Sequence, residues 1–314
     1  MPKREQQQQQ TLVGTQAYWD AQDSTYNTDV FVVWRECTNG SLDAALDAAA
    51  QEKRSTETIA VDFGTGPGFA LRGLSKRFDW CVGVDLSPAL IKTANARVVE
   101  QGLGNTVALV SDLSKGQSIA PVIRSACKGC IAGNKAGRIP RVWFGVCCNV
   151  LLSPCAATRR AIIETVASTL EVGGSCLFVV PSLESRLWVE HLYRLLDKDE
   201  AHVEGLLGDG GRFISVQQPQ KKVKKGSATQ TVRSQMGLED LLNGLVPAGE
   251  TPTQHYLREQ LVSELGQVGL RVNKVEKVEY NMQSEFSVPA RWMEEERIGR
   301  PWDWMAVAEK TAPM

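Results

Sequence analysis

Hydrophobic and polar residues follow one another along the chain in blocks whose spacing switches between that of a strand and that of a helix. Short apolar runs suited to buried strands occupy residues 59–63, 80–84, 107–110, 141–147 and 175–180. Between these runs, apolar residues recur three or four positions apart, as on the buried face of an amphipathic helix. Strands that alternate with helices in this way predict an α/β fold with a parallel sheet.

The pattern changes after residue 181 and becomes regular again near residue 253, where a helix and then two strand-like runs are predicted. A late helix followed by a strand pair is expected to complete the same sheet. The sequence therefore predicts five parts: a disordered tail (1–14), a helical lid or cap (15–55), the core (56–181), an insertion (182–252) and the C-terminal part of the core sheet (253–314).

Two serine–proline pairs mark predicted helix starts. Ser87 before Pro88, and Ser153 before Pro154, have the pattern of an N-cap residue followed by a first-turn proline. We therefore expect one helix to begin directly after the second strand and another to begin at Pro154.

Composition and charge narrow the class of protein. Hydrophobic residues make up 43% and charged residues 23% of the chain, and the formal net charge is −1, so no global charge favours nucleic acid or an anionic membrane. No apolar run approaches the roughly 20 residues that cross a bilayer, and the N-terminus lacks the apolar core of a signal peptide. We expect a soluble, cytoplasmic protein. The cluster Lys221, Lys222, Lys224 and Lys225 allows nuclear import or phosphate binding, although a solvated loop is the favoured interpretation.

The cysteines do not predict a metal site. Cys127 and Cys130 form one C-x-x-C pair, whereas zinc sites usually have two such pairs or a matching histidine pair, and the three histidines lie far downstream. With eight cysteines and no secretion signal, we expect reduced thiols and no bound metal.

A glycine-rich loop follows the first predicted strand. Asp62 ends that strand, and Gly64, Gly66 and Gly68 follow at alternate positions with Thr65 between the first two. Glycine permits positive φ and lets backbone N–H groups approach a ligand with no Cβ in the way. The next residues have a helical pattern, so the loop is expected at a helix N-terminus, the usual cradle for a nucleotide-like cofactor.

The spacing of these glycines restricts the type of cofactor. A dinucleotide site has G-x-G-x-x-G with its third glycine on the helix, but here Phe69 occupies that position, and no G-K-[ST] of a Walker phosphate loop follows. The carboxylate of Asp62 would repel a pyrophosphate, whereas it suits a cationic amino-acid ligand. Asp85 ends the second strand about 20 residues after Gly64, the interval at which a doubly wound fold places an acid on ribose hydroxyls. A solvated turn carboxylate is its simpler alternative.

The stretches D-x-G-x-G-x-G, CNVLLSP and EVGG, in this order, resemble motifs of the class I S-adenosylmethionine (SAM)-dependent methyltransferases over roughly residues 56–181. The resemblance implies a doubly wound, mostly parallel, seven-stranded Rossmann-like sheet with an antiparallel last strand and an inserted substrate or lid region at 182–252. It also implies SAM as the cofactor and S-adenosylhomocysteine (SAH) as its product.

The same resemblance gives roles to further residues. An acid at the end of the third strand, here Asp112, accepts a hydrogen bond from the adenine amino group, and Leu86 and Leu113 sandwich the ring. Asn149 follows the fourth strand, where the family lines the site near the methyl group, so its amide would orient substrate or cofactor. A helix N-cap is the simpler alternative for Asp112.

We expect methyl transfer to an N or O atom of a small molecule by in-line displacement, in which the protein aligns the reactants and excludes water. Tyr18, Trp19 and Tyr26 are candidate substrate contacts, with core packing as the simpler alternative. His255 is a candidate base, although a lone histidine at a helix start is more often structural.

The sequence does not fit two other classes of methyltransferase, and it leaves two alternative functions open. The [DN]-P-P-[YFW] motif of amide and adenine-amine methyltransferases is missing. Pro154 and Cys155 superficially match the nucleophile of cytosine-C5 methyltransferases, but the cysteine is expected in the first turn of a helix rather than in a loop. A protein methyltransferase, or a non-catalytic SAM-fold subunit of a complex, are the alternatives to a small-molecule enzyme.

Overall fold

A computed structural model of the 314-residue protein describes residues 15–23, 26, 32–52, 57–130, 141–189, 242–248, 251–281 and 300–312. The predicted tail, the lysine cluster and most of the predicted insertion lie outside these ranges. All structural statements below refer to the described residues.

Seven strands form one mixed sheet, and two more form a separate hairpin. The strands are β1 (Thr58–Phe63), β2 (Trp80–Asp85), β3 (Thr106–Val110), β4 (Arg141–Cys148), β5 (Ser175–Pro181), β6 (Leu245–Ala248), β7 (Thr251–Gln254), β8 (Leu270–Glu279) and β9 (Trp302–Lys310). The large sheet has the order β3-β2-β1-β4-β5-β9-β8. Strands β1 to β5 are parallel, and β9 lies antiparallel between β5 and β8. The predicted seven-stranded, mostly parallel sheet with an antiparallel last strand is confirmed.

Helices cover both faces of this sheet. Their bounds are α1 (Gln16–Gln22), α2 (Val33–Glu36), α3 (Ser41–Glu52), α4 (Leu71–Ser75), α5 (Pro88–Glu100), α6 (Ala120–Cys130), α7 (Ala156–Thr169) and α8 (Arg258–Gly266). Residues 183–189 are also helical. Ser87 caps α5 as predicted, because its Oγ accepts from the backbone N of Leu90 at 3.2 Å and Pro88 occupies the first turn. None of the helices in the described ranges is long and apolar enough to cross a membrane.

The core has two layers, one on each face of the sheet. Val61 packs in a cluster with Ile163 of α7 and Leu261 of α8. The second layer, on the opposite face of the sheet, contains Ala60 of β1 and Leu46 of α3. This follows from the period of two along a strand, which also places Asp62 on the same face as Ala60.

The order of strands reverses between β1 and β4. From β1 the chain proceeds to β2 and β3 in one direction, and from β4 to β5 in the other. Loops that leave two such strands diverge and leave a crevice at their carboxyl ends, where doubly wound proteins bind ligands. Here Phe63 and Cys147 pair at the carboxyl ends of β1 and β4, just before that crevice.

The helix after β4 begins later than predicted. Its N-cap is Cys155 and its first residue is Ala156, so the placement of Ser153 as N-cap, Pro154 at the first position and Cys155 in the first turn was wrong. Ser153 Oγ accepts from the Cys155 backbone N at 3.2 Å, a turn that comes before the helix. Arg159 Nη1 donates to the carbonyl oxygens of Ser153 and Pro154, which holds them outside the helical ladder.

The helix after the glycine loop also starts later than its pattern indicates. It begins at Leu71, and residues 66–70 form turns. The glycine loop therefore stands apart from the N-terminus of α4, a helix of five residues. The loop is held instead by neighbouring strands, as described below.

A tight contact in the centre of the sheet gives a stability prediction. A Cβ at Gly145 of β4 would lie 2.8 Å from Phe63 Cε2 and 2.9 Å from Cys176 Sγ, both in the core. We expect Gly145→Ala to lower the free energy of unfolding by about 1–3 kcal/mol, the usual cost of overpacking. Chemical denaturation measures this change.

The matched control is Gly266→Ala, because a Cβ at that position in the last turn of α8 meets nothing within 4 Å. Its stability should stay within about 1 kcal/mol of wild type, or rise, since alanine favours helix. Equal losses in the two variants would contradict the packing of β4 between Phe63 and Cys176.

Candidate functional site

The glycine loop is folded by hydrogen bonds to β2. The backbone N–H groups of Gly64 and Thr65 both donate to the carbonyl oxygen of Val84, at 2.7 and 2.9 Å, and that of Gly68 donates to Thr65 O at 2.9 Å. The glycines have positive φ angles of 76° at Gly64 and 52° at Gly66, which disfavour other residues. A Cβ at Gly64 would also collide with Val150. Since the loop amides donate within the protein, the loop offers close backbone approach rather than free donors.

Asp62 is a buried carboxylate beneath this loop, with 3% of its surface exposed. Thr65 Oγ1 donates to Asp62 Oδ2 at 2.6 Å. Burial raises the pKa of Asp62 to about 7; the Thr65 hydrogen bond opposes this rise, and the charge of Asp85 adds to it. No lysine or arginine among the described residues forms an ion pair with Asp62, so its charge is balanced by no cation there.

Asp85 ends β2 with both carboxylate oxygens facing backbone donors. Its Oδ2 accepts from Gly66 N and its Oδ1 from Ser87 N, each at 2.9 Å. Burial raises its pKa, and these backbone hydrogen bonds oppose the rise. The side chain is thus fixed in one orientation at the crevice, and each oxygen keeps capacity for a further hydrogen bond.

Asp112, at the end of β3, has local partners. It caps a 3-10 turn: its Oδ1 accepts from Ser114 N at 2.9 Å and from Ser114 Oγ at 2.6 Å. Its Oδ2 lies 3.1 Å from Lys115 Nζ. Burial opposes ionisation of Asp112, but the hydrogen bonds from Ser114 and the Lys115 ammonium outweigh it and lower its pKa. The capping role is therefore present, and the adenine contact remains a prediction.

The two predicted ring contacts differ in exposure. Leu113 is 7% exposed and packs in the central core, whereas Leu86 is half-buried at the end of β2. Leu86 is the more available of the two for a ligand. The contact of Leu113 with a ring remains a prediction.

Asn149 is the residue with backbone strain at the crevice. Its φ of 54° makes it the one non-glycine residue with positive φ in the described chain. Its backbone N donates to Val179 O at 2.8 Å, but its side-chain Oδ1 is buried without a hydrogen-bond partner among the described residues. A strained backbone and an unsatisfied buried oxygen at a crevice are typical of a ligand site.

The predicted aromatic residues lie on the glycine-loop side of the crevice. Tyr18 and Trp19 form an edge-to-face pair with centroids 5.0 Å apart, and Trp19 lies 6.4 Å from Tyr26. The tip of Tyr26 covers Gly66: a Cβ there would lie 2.9 Å from the phenol oxygen. The three aromatic side chains therefore meet near the loop, while their contact with substrate remains a prediction.

His255 lines a small cavity of about 60 Å³ near the carboxyl end of β5. Burial lowers the pKa of His255 to about 4, against a hydrogen bond to the carbonyl oxygen of Thr253, and the charge of Arg186 lowers it further. The imidazole is therefore neutral at physiological pH. The cavity is also lined by Pro181, Ser182, Ser185, Val189, Tyr280 and Asp303.

The cysteines give no metal centre in the described part of the chain. Cys127 is buried in the core beside Ile123, at the end of α6, so it is a packing residue. No group of three histidine, cysteine, aspartate or glutamate side chains in the described ranges has the geometry to hold a metal ion.

Two further residues at the crevice were not identified from the sequence. Cys148 is the last residue of β4, and its pKa is raised by burial and then by the charges of Asp303 and Asp62. Cys148 opens the CNVLLSP stretch, so its position was marked by that motif. Asp303 lies 155 positions away in β9 and had no comparable signal, because only the antiparallel pairing of β9 with β5 brings it there.

The reversal of strand order, the glycine loop and the acids at the carboxyl ends of β1, β2 and β3 define a doubly wound protein with a crevice at that reversal. No protein-family model and no curated protein sequence matches the chain. A SAM-dependent methyltransferase from Methanosarcina mazei aligns with a TM-score of 0.50 at 16% identity, over 83% of this chain and 95% of that one. The chain therefore has the Rossmann-like fold of class I SAM-dependent methyltransferases, as the sequence motifs predicted.

Two other solved structures align with lower scores. A putative methyltransferase of Haloferax volcanii, in complex with a methyltransferase activator, has a TM-score of 0.49 at 15% identity over 94% of this chain and 95% of that one. Geranyl diphosphate C-methyltransferase from Streptomyces coelicolor has a TM-score of 0.47 at 11% identity over 86% and 78%.

The buried Asp62 gives a prediction for stability against pH. Because its pKa is about 7 in the folded protein and near 3.8 in the unfolded chain, folding stability falls as pH rises between these values and is level above pH 7. We expect Asp62→Asn to remove this loss. The stability of the variant relative to wild type should therefore rise by more than about 1 kcal/mol between pH 4 and pH 7. Denaturant unfolding at several pH values measures the difference.

Asp112→Asn is the control, since the pKa of Asp112 is lowered on folding. Its stability relative to wild type should fall, not rise, as pH increases from acid to neutral. The titration of His255 contributes equally to the stability of wild type and of both variants, so it cancels when their stabilities are compared. If the stability difference between Asp62→Asn and wild type did not change with pH, the Asp62 carboxylate would be ionised in the folded protein over the whole range.

Proposed function

We propose that the protein is a SAM-dependent methyltransferase that transfers a methyl group to an N or O nucleophile of a small molecule. The observation that carries this proposal is Asp62, a buried carboxylate with no described cationic partner, directly beneath a loop with glycine at three alternate positions. A buried charge of this kind is costly unless it is paired. A ligand with a cationic amino-acid end supplies the missing charge, which a dinucleotide or a nucleoside triphosphate does not.

The residues present fit such a cofactor. Gly64 and Gly66 adopt the positive φ angles that fold the loop over Asp62, and Asp85 is held in one orientation in which each oxygen keeps capacity for a ribose hydroxyl. Asn149 presents a buried oxygen without a partner that can accept from an amino group. Leu86 and Asp112 at the ends of β2 and β3 would hold the adenine end.

The bound cofactor supplies an activated methyl group on a sulfonium, so this chain needs to align the acceptor and exclude water. Asp62 and Asn149 lie at the ends of β1 and β4, and the cavity beside His255 lies on the β5 side of them. The acceptor is proposed to bind there, with Tyr18 and Trp19 closing the other side. An amine acceptor must arrive neutral, while a hydroxyl acceptor needs a base, for which the neutral His255 is the candidate.

The first test is cofactor binding by calorimetry with SAM and SAH. Wild type should bind both, and Asp85→Ala should weaken binding by roughly 10- to 100-fold, because hydrogen bonds to a charged group contribute about 1.5–3 kcal/mol. Asp43→Ala is the control: the Asp43 carboxylate is exposed on α3 and pairs with Arg77, so the variant should bind as wild type does. Absence of binding in wild type would refute the proposal.

The second test identifies the kind of acceptor. Purified protein is incubated with methyl-labelled SAM and a cell extract separated by molecular size. A labelled product other than SAM in the small-molecule fraction is the expected result, and label only in polypeptides would mean a protein methyltransferase. Binding of SAM without transfer to either fraction would instead favour a non-catalytic subunit.

A further inference from the structure

The helical segment α1 is docked onto the start of α5 by two carboxylates. Ser87 Oγ donates a short hydrogen bond to Asp20 Oδ1, which also accepts from Ala89 N at 3.5 Å. Thr93 Oγ1 donates to Asp23 Oδ1 at 2.8 Å. A carboxylate at a helix N-terminus is further stabilised by the helix dipole, and Ser87 lowers the pKa of Asp20.

Tyr26 lies over the glycine loop. A Cβ at Gly66 would lie 2.9 Å from its phenol oxygen and 3.2 Å from its ring carbon Cζ. Burial raises the pKa of Tyr26, and the charges of Asp85, Cys148 and Asp62 raise it further. The tip of Tyr26 therefore covers the second glycine of the loop that is proposed to hold the cofactor.

The space over Gly66 adjoins the residue proposed for the ribose. Asp85 Oδ2 accepts from Gly66 N at 2.9 Å, so this acid and the glycine covered by Tyr26 are in direct contact. A ribose that reached Asp85 across Gly66 would therefore meet the phenol of Tyr26.

We propose that Tyr26 is an internal plug of the cofactor crevice, and that the contacts of Asp20 and Asp23 with α5 keep it there. The inference rests on the proposed SAM-binding function. Cofactor binds only when Tyr26 leaves, so the apparent dissociation constant is the intrinsic one divided by the fraction of molecules in which the plug is open. Removal of the plug therefore strengthens binding, whereas removal of a cofactor or substrate contact would weaken it or leave it unchanged.

The test compares SAH affinity and association rate in wild type, Tyr26→Ala and Asp20→Asn. Tyr26→Ala and Asp20→Asn should each lower the dissociation constant by at least about three-fold, mainly through faster association. Tyr26→Phe keeps the ring and should remain close to wild type. Asp43→Asn on α3, remote from α1, is the control for the loss of a surface carboxylate. If wild type binds SAH, weaker or unchanged binding in Tyr26→Ala overturns the proposal.

A ligand-free measurement separates this inference from the proposed function. In hydrogen exchange, the amides of Gly64, Thr65, Gly66 and Gly68 should exchange faster in Tyr26→Ala and Asp20→Asn than in wild type and Asp43→Asn, because the phenol no longer covers Gly66. If no protein binds SAH but exchange increases, the proposed function fails and the plug stands. Unchanged exchange in both variants overturns the plug, whatever the result for SAH.

Discussion

The carboxylate of Asp62 lies in the centre of a sheet whose neighbouring positions are apolar and almost fully buried. Such a group costs free energy unless it is hydrogen-bonded or paired, and much of the local structure accommodates this cost. Thr65 turns back to donate to Asp62, and it has room to do so because Gly83, opposite Asp62 in β2, lacks a side chain: a Cβ there would lie 2.8 Å from Thr65 Oγ1. The loop that contains Thr65 is in turn tied to Val84. One buried charge thus links the sheet, the glycine loop and the proposed cofactor.

The other half of the crevice is supported from the C-terminal part of the chain. Tyr256 donates to the carbonyl oxygen of Leu151 at 3.3 Å, and Gln254 N donates to that of Leu152 at 2.9 Å. Arg159 lies beneath the same loop and contacts Glu264 of α8. These bonds hold the strained turn at Asn149 in place. The site is therefore assembled from segments at both ends of the sequence, which agrees with the position of the crevice at the reversal of strand order.

Patterns within a short window predicted the regular elements well. The strands β1 to β5, the cap at Ser87 and the antiparallel pair at the end follow from apolar periodicity and from helix-start residues, since these depend on neighbours in sequence. The same rules were wrong at Ser153 and Pro154. There the serine side chain is used in a preceding turn, and Arg159, a residue of the helix itself, holds the carbonyl oxygens out of the ladder.

The glycine spacing and the acids at strand ends predicted a nucleotide-like cofactor with a cationic end, because an exact interval along parallel strands places side chains at one edge of the sheet. The resemblance to class I methyltransferase motifs then implied SAM. The state of those side chains depended on tertiary contacts. Burial by two flanking strands raises the pKa of Asp62, and the pairing of β9 with β5 brings Asp303 toward Cys148. Likewise, Asp20 and Ser87 are 67 residues apart, and Tyr26 and Gly66 are 40 positions apart, yet the fold brings each pair together. Periodicity acts between neighbours along the chain, whereas burial, charge and occupancy of a crevice arise between segments that only the folded structure brings together.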